Sequence, residues 1–223
     1  MYWMQTLYQS TLFRGFDYMD FEKLLPELKG ALRNVERGTM LLHEGESASW
    51  AGIVISGSLA SMKTQIDGSV SILDFIFQSK IFGLDMALTP SRISALSLQS
   101  LEDSTVFIFP FHGLETFDWM QINQKLKLTN NMLIYLANEN VRKQHKIEIT
   151  SQYSLRGRIL TYLKLMSVRH SSDSFAIPYS REQLANYLCV NRSTLSHELS
   201  CMQQEGLIKF RKNKFNLFDK DRD

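Results

Sequence analysis

The sequence predicts an α+β fold: an N-terminal β-roll of jelly-roll type, a long dimerisation helix and a C-terminal winged helix-turn-helix domain, with boundaries at 1–116, 117–148 and 149–223. Three observations predict it. Short apolar bursts separated by turn residues fill residues 35–111. An apolar stripe at spacings of three and four, with no Gly or Pro, then runs between residues 118 and 153. Beyond Ser180, two capped helical segments lead into a basic hairpin.

Taken in order, Phe21, Leu24, Leu25 and Leu28 recur at helical spacing and predict a short amphipathic helix over 16–32. The bursts GIVIS (52–56), SLASM (58–62), VSILDFIF (70–77), ISALSL (93–98) and TVFIF (105–109) are punctuated by Gly45, Gly57, Asp67-Gly68 and Thr89-Pro90. Their even spacing predicts a small sandwich or roll. Past Pro110, the stripe Trp119, Ile122, Leu126, Thr129, Leu133, Leu136 and Asn140 predicts one helix of about 25–30 residues, about 40 Å long at 1.5 Å per residue. Lys125, Lys127, Arg142 and Lys143 lie off that stripe, which fits a seam between two helices. In that reading Trp119, Ile122, Leu126, Leu133 and Leu136 pair with a second copy of the chain, and Asn140 sets the register. The alternative is a core helix packed on its own β domain, with Asn140 simply exposed.

The tail carries most of the information. Leu155, Ile159, Leu160, Leu163 and Leu165 predict a helix that ends in the polar stretch 170–174. Ser180, with Gln183 three residues on, forms a capping box that starts a helix at Arg181, and Leu184, Ala185 and Leu188 give it a buried face. Cys189-Val190-Asn191 is long enough only for a tight turn, and Asn191 is a second N-cap. The next helix turns Leu195, Leu199 and Met202 inward and leaves Arg192, Ser193, Ser196 and His197 on the opposite face. Gly206 ends it, and 207–210 and 215–218 pair as a hairpin around basic Lys212-Asn213-Lys214. Two short helices and a cationic hairpin make a winged helix-turn-helix.

Such a motif suits double-stranded DNA. The N-terminal turn of the second helix fits the major groove, where Arg192 reaches guanine O6 and N7, with Ser193, Ser196 and His197 the other side chains near base edges. Ser180, Arg181, Asn191, Thr194, Arg211, Lys212 and Lys214 are placed for phosphates, which set register but not sequence.

Charge and composition agree with this division. The net charge is +2, but residues 1–150 carry 13 Lys and Arg against 16 Asp and Glu, and residues 151–223 carry 12 against 7. A mildly acidic body with a basic tail suits a polyanion-binding module. At 44% hydrophobic and 22% charged the chain is not a disordered one. Asp74, Lys80 and Asp85 break the most apolar stretch, so no bilayer span is expected. The opening MYWMQTLYQS lacks the basic and apolar regions of a secretory signal. With two cysteines, Cys189 and Cys201, no disulfide framework is expected, and a cytoplasmic, reduced protein follows.

Across nearly its whole length the chain resembles the Crp/Fnr superfamily of bacterial transcription regulators. Leu12-Phe13-Arg14-Gly15-Phe16 resembles the family's leading helix. Leu41-Leu42-His43-Glu44-Gly45-Glu46 and Ile53-Val54-Ile55-Ser56-Gly57-Ser58-Leu59 resemble its first roll hairpin, and Phe82-Gly83 its "fG" turn. Arg181-Glu182-Gln183-Leu184-Ala185-Asn186-Tyr187-Leu188 through Gly206-Leu207-Ile208 resembles its DNA-binding signature, the most specific of these matches. The resemblance implies a homodimer on a pseudo-palindromic operator, the long helix as dimer interface, Arg192, Ser193 and His197 on base-reading positions, and RNA polymerase as a partner.

Departures from the family pattern bear on the ligand. The cyclic-nucleotide branch carries Glu after Phe-Gly for the ribose and Arg-Ser or Arg-Thr for the phosphate; this chain has Leu84 and Ile93-Ser94-Ala95, with Arg92 one residue out and so facing the other way on a strand. Burying a phosphate without a countercharge is costly, so no cyclic nucleotide is expected. Gly83, Leu84, Asp85 and Arg92 remain a candidate pocket for another effector. An iron–sulfur sensor needs about four cysteines, which this chain lacks. Haem would need an axial ligand, for which His43 and His112 are the candidates, but lone histidines are more often surface residues, so no haem is expected. Cys189 replaces a Gly common in the family's turn; it and Cys201 read as core thiols. His197 replaces the usual Arg, which makes its base contact weaker or sensitive to pH. A reading from another class is a metal-binding enzyme on a cupin-like β domain, but His43-Glu44-Gly45-Glu46 supplies one His where such sites need His-x-His, and no catalytic constellation stands out.

Overall fold

The computed structural model describes residues 2–218, so Met1 and 219–223, the outer ends of the predicted terminal domains, lie outside the described residues. The chain divides into two compact units, Met1–Glu139 and Asn140–Asp223. The division falls inside the long helix, where the sequence reading placed a separate segment.

In the first unit α1 (Tyr2–Tyr8) and α2 (Tyr18–Glu27) precede β1 (Ala31–Val35), β2 (Met40–Leu42), β3 (Trp50–Ser56), β4 (Ser58–Thr64), β5 (Val70–Phe77), β6 (Ile81–Phe82), the one-turn α3 (Leu84–Ala87), β7 (Ser97–Ser100) and β8 (Ser104–Pro110). The strands form two antiparallel sheets, ordered β1-β8-β3-β6 and β2-β7-β4-β5. Strand alternation places the core. Ala51, Ile53 and Ile55 of β3 and Phe107 and Phe109 of β8 join Leu12, Phe13, Phe21 and Leu24 in one cluster, while Val54 and Val106 join Leu42, Leu59, Phe82 and Leu98 in another. The first sheet is therefore covered on both faces, each buried Phe contributing about 1.5–3 kcal/mol.

Two local readings are corrected. The helix expected over 16–32 is shorter: Asp17 caps α2 by accepting from the Met19 N–H at 2.9 Å, the chain turns at Lys29 (φ 52°), and Leu32 lies in β1. Gly30 between them is required by close approach, since a Cβ there would sit 2.2 Å from Phe107 Cζ. Of the burst 93–98 only 97 and 98 are strand; Ile93 makes an isolated bridge to Ser47. Helix α1, not assigned from the sequence, turns Trp3, Met4, Leu7 and Tyr8, at spacings of three and four, onto the first core, with Leu7 fully buried.

Helix α4 (Ile122–Thr150) has 29 residues. One face packs on its own unit: Leu128 and Met132 are buried, Asn131 Nδ2 donates to the carbonyls of Leu12 and Arg14, both at 2.9 Å, and Tyr135 Oη donates to that of Ile81 at 3.2 Å. On the remaining surface Ile122, Leu126 and Leu133 are 67%, 60% and 61% exposed, which leaves an apolar stripe uncovered; Leu136 is half-buried and Asn140 exposed. Trp119, expected on this helix, precedes it and is partly exposed.

In the second unit α5 (Leu155–His170), β9 (Ser174–Ala176), α6 (Arg181–Tyr187), α7 (Arg192–Gln204), β10 (Ile208–Arg211) and β11 (Lys214–Leu217) surround a core of Ile149, Ile159, Leu163, Leu184, Leu188, Leu195, Leu199 and Met202. The hairpin gains a third strand that the sequence reading did not foresee, in the order β10-β11-β9. Tyr162 lies in this core beside Tyr179 and Tyr187, and among the described residues its hydroxyl has no hydrogen-bond partner. Burial pushes that phenol above its usual range, so it stays a neutral, unsatisfied O–H. We therefore expect Tyr162→Phe to leave urea stability unchanged or raise it by up to about 1 kcal/mol, whereas truncation to Ala should cost about 3–5 kcal/mol.

Candidate nucleic-acid interface

The second unit presents α7 by fixing everything behind it. Leu195, Leu199 and Met202, at spacings of four and three, are fully buried, so the opposite face points outward. Arg156 on α5 holds the helix from behind: its Nε donates to Glu198 Oε1 at 2.7 Å, and its Nη1 and Nη2 grip both Glu205 oxygens at 2.7 and 2.8 Å. These bonds raise the Arg156 pKa further above its ordinary value. Arg158 Nη1 donates to the Leu188 carbonyl at 3.1 Å and so holds the turn between α6 and α7. The sequence reading missed both arginines, because the partners by which they hold α7 and its turn lie 30 to 49 residues away.

The capping box is present as read: Ser180 Oγ accepts from the Gln183 N–H at 3.2 Å, and Gln183 Oε1 accepts from the Ser180 N–H at 2.8 Å. The Ser180 side chain is thus the helix cap, its oxygen serving as acceptor. Asn191 takes the N-cap position of α7, but its side chain makes no capping bond. The exposed first turn of α7 therefore keeps backbone N–H groups for an anion. Asn191, Arg192, Ser193, Thr194 and His197 are exposed and Ser196 is half-buried, so the four predicted base-reading residues share one accessible surface.

The wing lies at the same end of the motif. Arg211, Lys212 and Lys214 are exposed around the β10–β11 turn, and Lys212 adopts φ 56° there. Asn213 Nδ2 donates to the Ile177 carbonyl at 2.9 Å, which ties the wing tip to the chain before α6. Arg181, expected as a phosphate contact, also engages the wing. Its guanidinium lies 4.8 Å from the Phe210 ring centre and 5.8 Å from that of Phe215, and Nη2 donates to the Lys212 carbonyl at 3.2 Å. Arg181 thus fastens the wing to α6. Burial, and then the charge of Arg192, lowers its pKa from the ordinary value, but a guanidinium stays charged and adds to the positive field.

The two cysteines are not core thiols. Cys189 is exposed at φ 56°, and Cys201 is intermediate, its Sγ 3.7 Å from His197 Nε2. Position 189 ends α6 in the left-handed conformation, with the Val190 N–H donating to the Ala185 carbonyl at 3.0 Å and the Cys189 N–H to that of Asn186 at 3.1 Å. That geometry explains why a glycine would suit this turn.

In the roll, Leu84 is fully buried within the core and offers no polar group. Asp85 Oδ1 accepts from the Met86 N–H at 3.1 Å. Arg92 sits in a turn at φ 51°, not on a strand as expected, and its Nη2 donates to the His112 carbonyl. Ile93 is half exposed where a phosphate-binding Arg would stand. Gly83, at φ 78°, lies against Trp50. The Leu84 and Ile93 side chains thus supply neither a hydrogen-bond acceptor nor a positive charge here. His43 and His112 are both exposed, the Glu46 carboxylate accepts from the His43 N–H at 2.8 Å, and among the described residues no three His, Cys, Asp or Glu side chains converge on one metal position. Nothing in the described roll supports the metal-binding enzyme alternative.

A basic, exposed helix turn beside a cationic wing defines a winged helix-turn-helix DNA-binding protein. Residues 32–117 match the family model for the cyclic nucleotide-binding domain, and residues 157–222 match the Crp-like helix-turn-helix domain. Relatives include the transcriptional activator protein FnrA of Stutzerimonas stutzeri, 25% identical over 84% of this chain and 76% of that protein. The transcriptional activator protein Anr of Pseudomonas aeruginosa is 26% identical over 87% of this chain and 80% of that protein. Among solved structures, FixK2 from Bradyrhizobium japonicum superposes with a TM-score of 0.61 at 22% identity, covering 86% of this chain and 94% of its own. The c-di-GMP responsive regulator CLP of Xanthomonas campestris superposes at 0.67 and 17% identity, covering 91% and 100%. The chain belongs to the Crp/Fnr family of transcription regulators.

The left-handed turn gives a direct stability test. Cys189→Gly should raise the unfolding free energy by about 1 kcal/mol, and Cys189→Val should lower it by at least as much, both read by urea denaturation.

Proposed function

We propose that the protein is a homodimeric regulator that reads a pseudo-palindromic operator with two copies of α7, under the control of an effector other than a cyclic nucleotide. The observation that carries this reading is the uncapped first turn of α7, with Arg192, Ser193 and His197 exposed on it and Lys212 and Lys214 at the adjacent wing. Arg192 makes the bidentate contact to guanine, and Ser193, Ser196 and His197 read neighbouring edges. Ser180, Arg181, Asn191, Thr194, Arg211, Lys212 and Lys214 meet phosphates, and Arg181 holds the wing as well. The uncovered stripe Ile122, Leu126 and Leu133, with half-buried Leu136 and with Trp119 just before the helix, is the surface for the second copy. RNA polymerase is the partner that family membership suggests.

The reading carries no catalytic step and no resident iron–sulfur cluster or haem; both cysteines lie in the DNA-binding unit rather than in the roll. No helix among the described residues is long and apolar enough to cross a membrane, which suits a cytoplasmic regulator.

Fluorescence anisotropy of labelled duplexes across a salt series tests the interface. Arg192→Ala should cost about 1–3 kcal/mol on the operator and relax base preference, and an unchanged preference would remove its assigned role. Lys214→Ala should weaken all sequences alike and lower the salt slope by about one. Calorimetry with cyclic AMP and cyclic GMP should show no micromolar binding, because Leu84 and Ile93 supply neither a ribose acceptor nor a phosphate countercharge.

A further inference from the structure

His197 and Cys201 are one helical turn apart on α7, His197 exposed and Cys201 partly so, with Nε2 and Sγ 3.7 Å apart. A zinc ion bonded to imidazole nitrogen at about 2.0–2.1 Å and to thiolate sulfur at about 2.3 Å, at the tetrahedral angle, holds those two atoms about 3.6 Å apart. The pair is therefore already spaced as two corners of one tetrahedral site, and both side chains project from a helix held rigidly by Arg156. We propose that His197 and Cys201 chelate a thiophilic d¹⁰ cation of the Zn²⁺ class on the recognition helix, and that its binding switches off operator reading.

The donor set selects the ion. One imidazole and one thiolate suit Zn²⁺ and its softer relatives and disfavour Mg²⁺ and Ca²⁺, which take oxygen ligands. The Cys201 thiol gives up its proton to solvent as sulfur bonds the metal, and His197 lends its Nε2 lone pair while Nδ1 keeps the ring proton. Water completes the shell: the neighbouring carboxylates Glu198 and Glu205 are engaged by Arg156, and no third His, Cys, Asp or Glu converges there among the described residues. This is an open, exchangeable two-point site rather than a closed structural one.

The consequence for DNA rests on the proposed role of His197. Coordination takes away the nitrogen that would meet a base edge and inserts a hydrated cation between α7 and the groove floor. The added positive charge does not oppose phosphate contacts. Specific binding should fall while binding to unrelated duplex does not, so the specificity ratio collapses.

The test has two readouts on the full-length protein under reductant. In the first, Co²⁺ titration should give a near-ultraviolet thiolate charge-transfer band saturating at one ion per chain, displaced by Zn²⁺ and abolished in Cys201→Ser but kept in Cys189→Ser. In the second, micromolar Zn²⁺ should weaken operator binding at least tenfold, with recovery on adding EDTA, and Cys201→Ser should bind the operator normally without responding to Zn²⁺. Absence of the band, or a band that follows Cys189, overturns the site. A band that follows Cys201 with operator binding unaffected by Zn²⁺ overturns the switch, and a protein that shows the band but binds no operator contradicts the DNA reading while leaving the metal site standing.

Discussion

The constraint on which the interface depends is the complete burial of one face of α7. Leu195, Leu199 and Met202 have no accessible surface, and truncating any one to Ala would cost about 2–5 kcal/mol. A helix has only one rotation about its axis that buries those three together, and that rotation leaves Arg192, Ser193 and His197 outside. Arg156 then fixes the helix along its length through carboxylates one and a half to two turns apart, Glu198 and Glu205. Side chains meant to read base edges need such a rigid support, because a displacement of about 1 Å loses a bidentate hydrogen bond.

The same economy operates at the wing. A two-stranded hairpin alone is marginal in water, and here β9 supplies a third strand while Arg181 closes over Phe210 and Phe215. The cationic turn is thus held by a cation of its own, and Lys212 and Lys214 are free of that structural task. In the roll, alternating residues of β3 and β8 fill both faces of one sheet, and Leu84 belongs to that filling. Helix α4 places Leu128 and Met132 in the core of the first unit and Ile149 in that of the second.

What was legible in the sequence was what local chemistry determines. The Ser180 capping box, the short turn before Asn191, the inward spacing of Leu195, Leu199 and Met202 and the stop at Gly206 all depend on residues within a few positions of one another, and the structure has each of them. Strands β3, β4, β5 and β8 of the roll announced themselves through apolar bursts for the same reason. Features that depend on distant partners were not legible. Strand β1 reads as the end of a helix until Gly30 is seen to pass against Phe107, and β9 exists only because β11 pairs with it. Nothing near Arg156 or Arg158 announces Glu205 or the Leu188 carbonyl, and the contact of Arg181 with the wing was not legible because the rings that engage it, Phe210 and Phe215, lie some thirty residues on.

The most direct test of the central claim is selection of bound duplexes from a random pool by the purified protein at moderate salt. The account predicts enrichment of a two-fold symmetric sequence whose half-sites are centred about one helical turn, about 34 Å, apart, each with a guanine at a fixed position. Recovery of unrelated sequences without a common element, or of a lone half-site bound by one subunit, would contradict it.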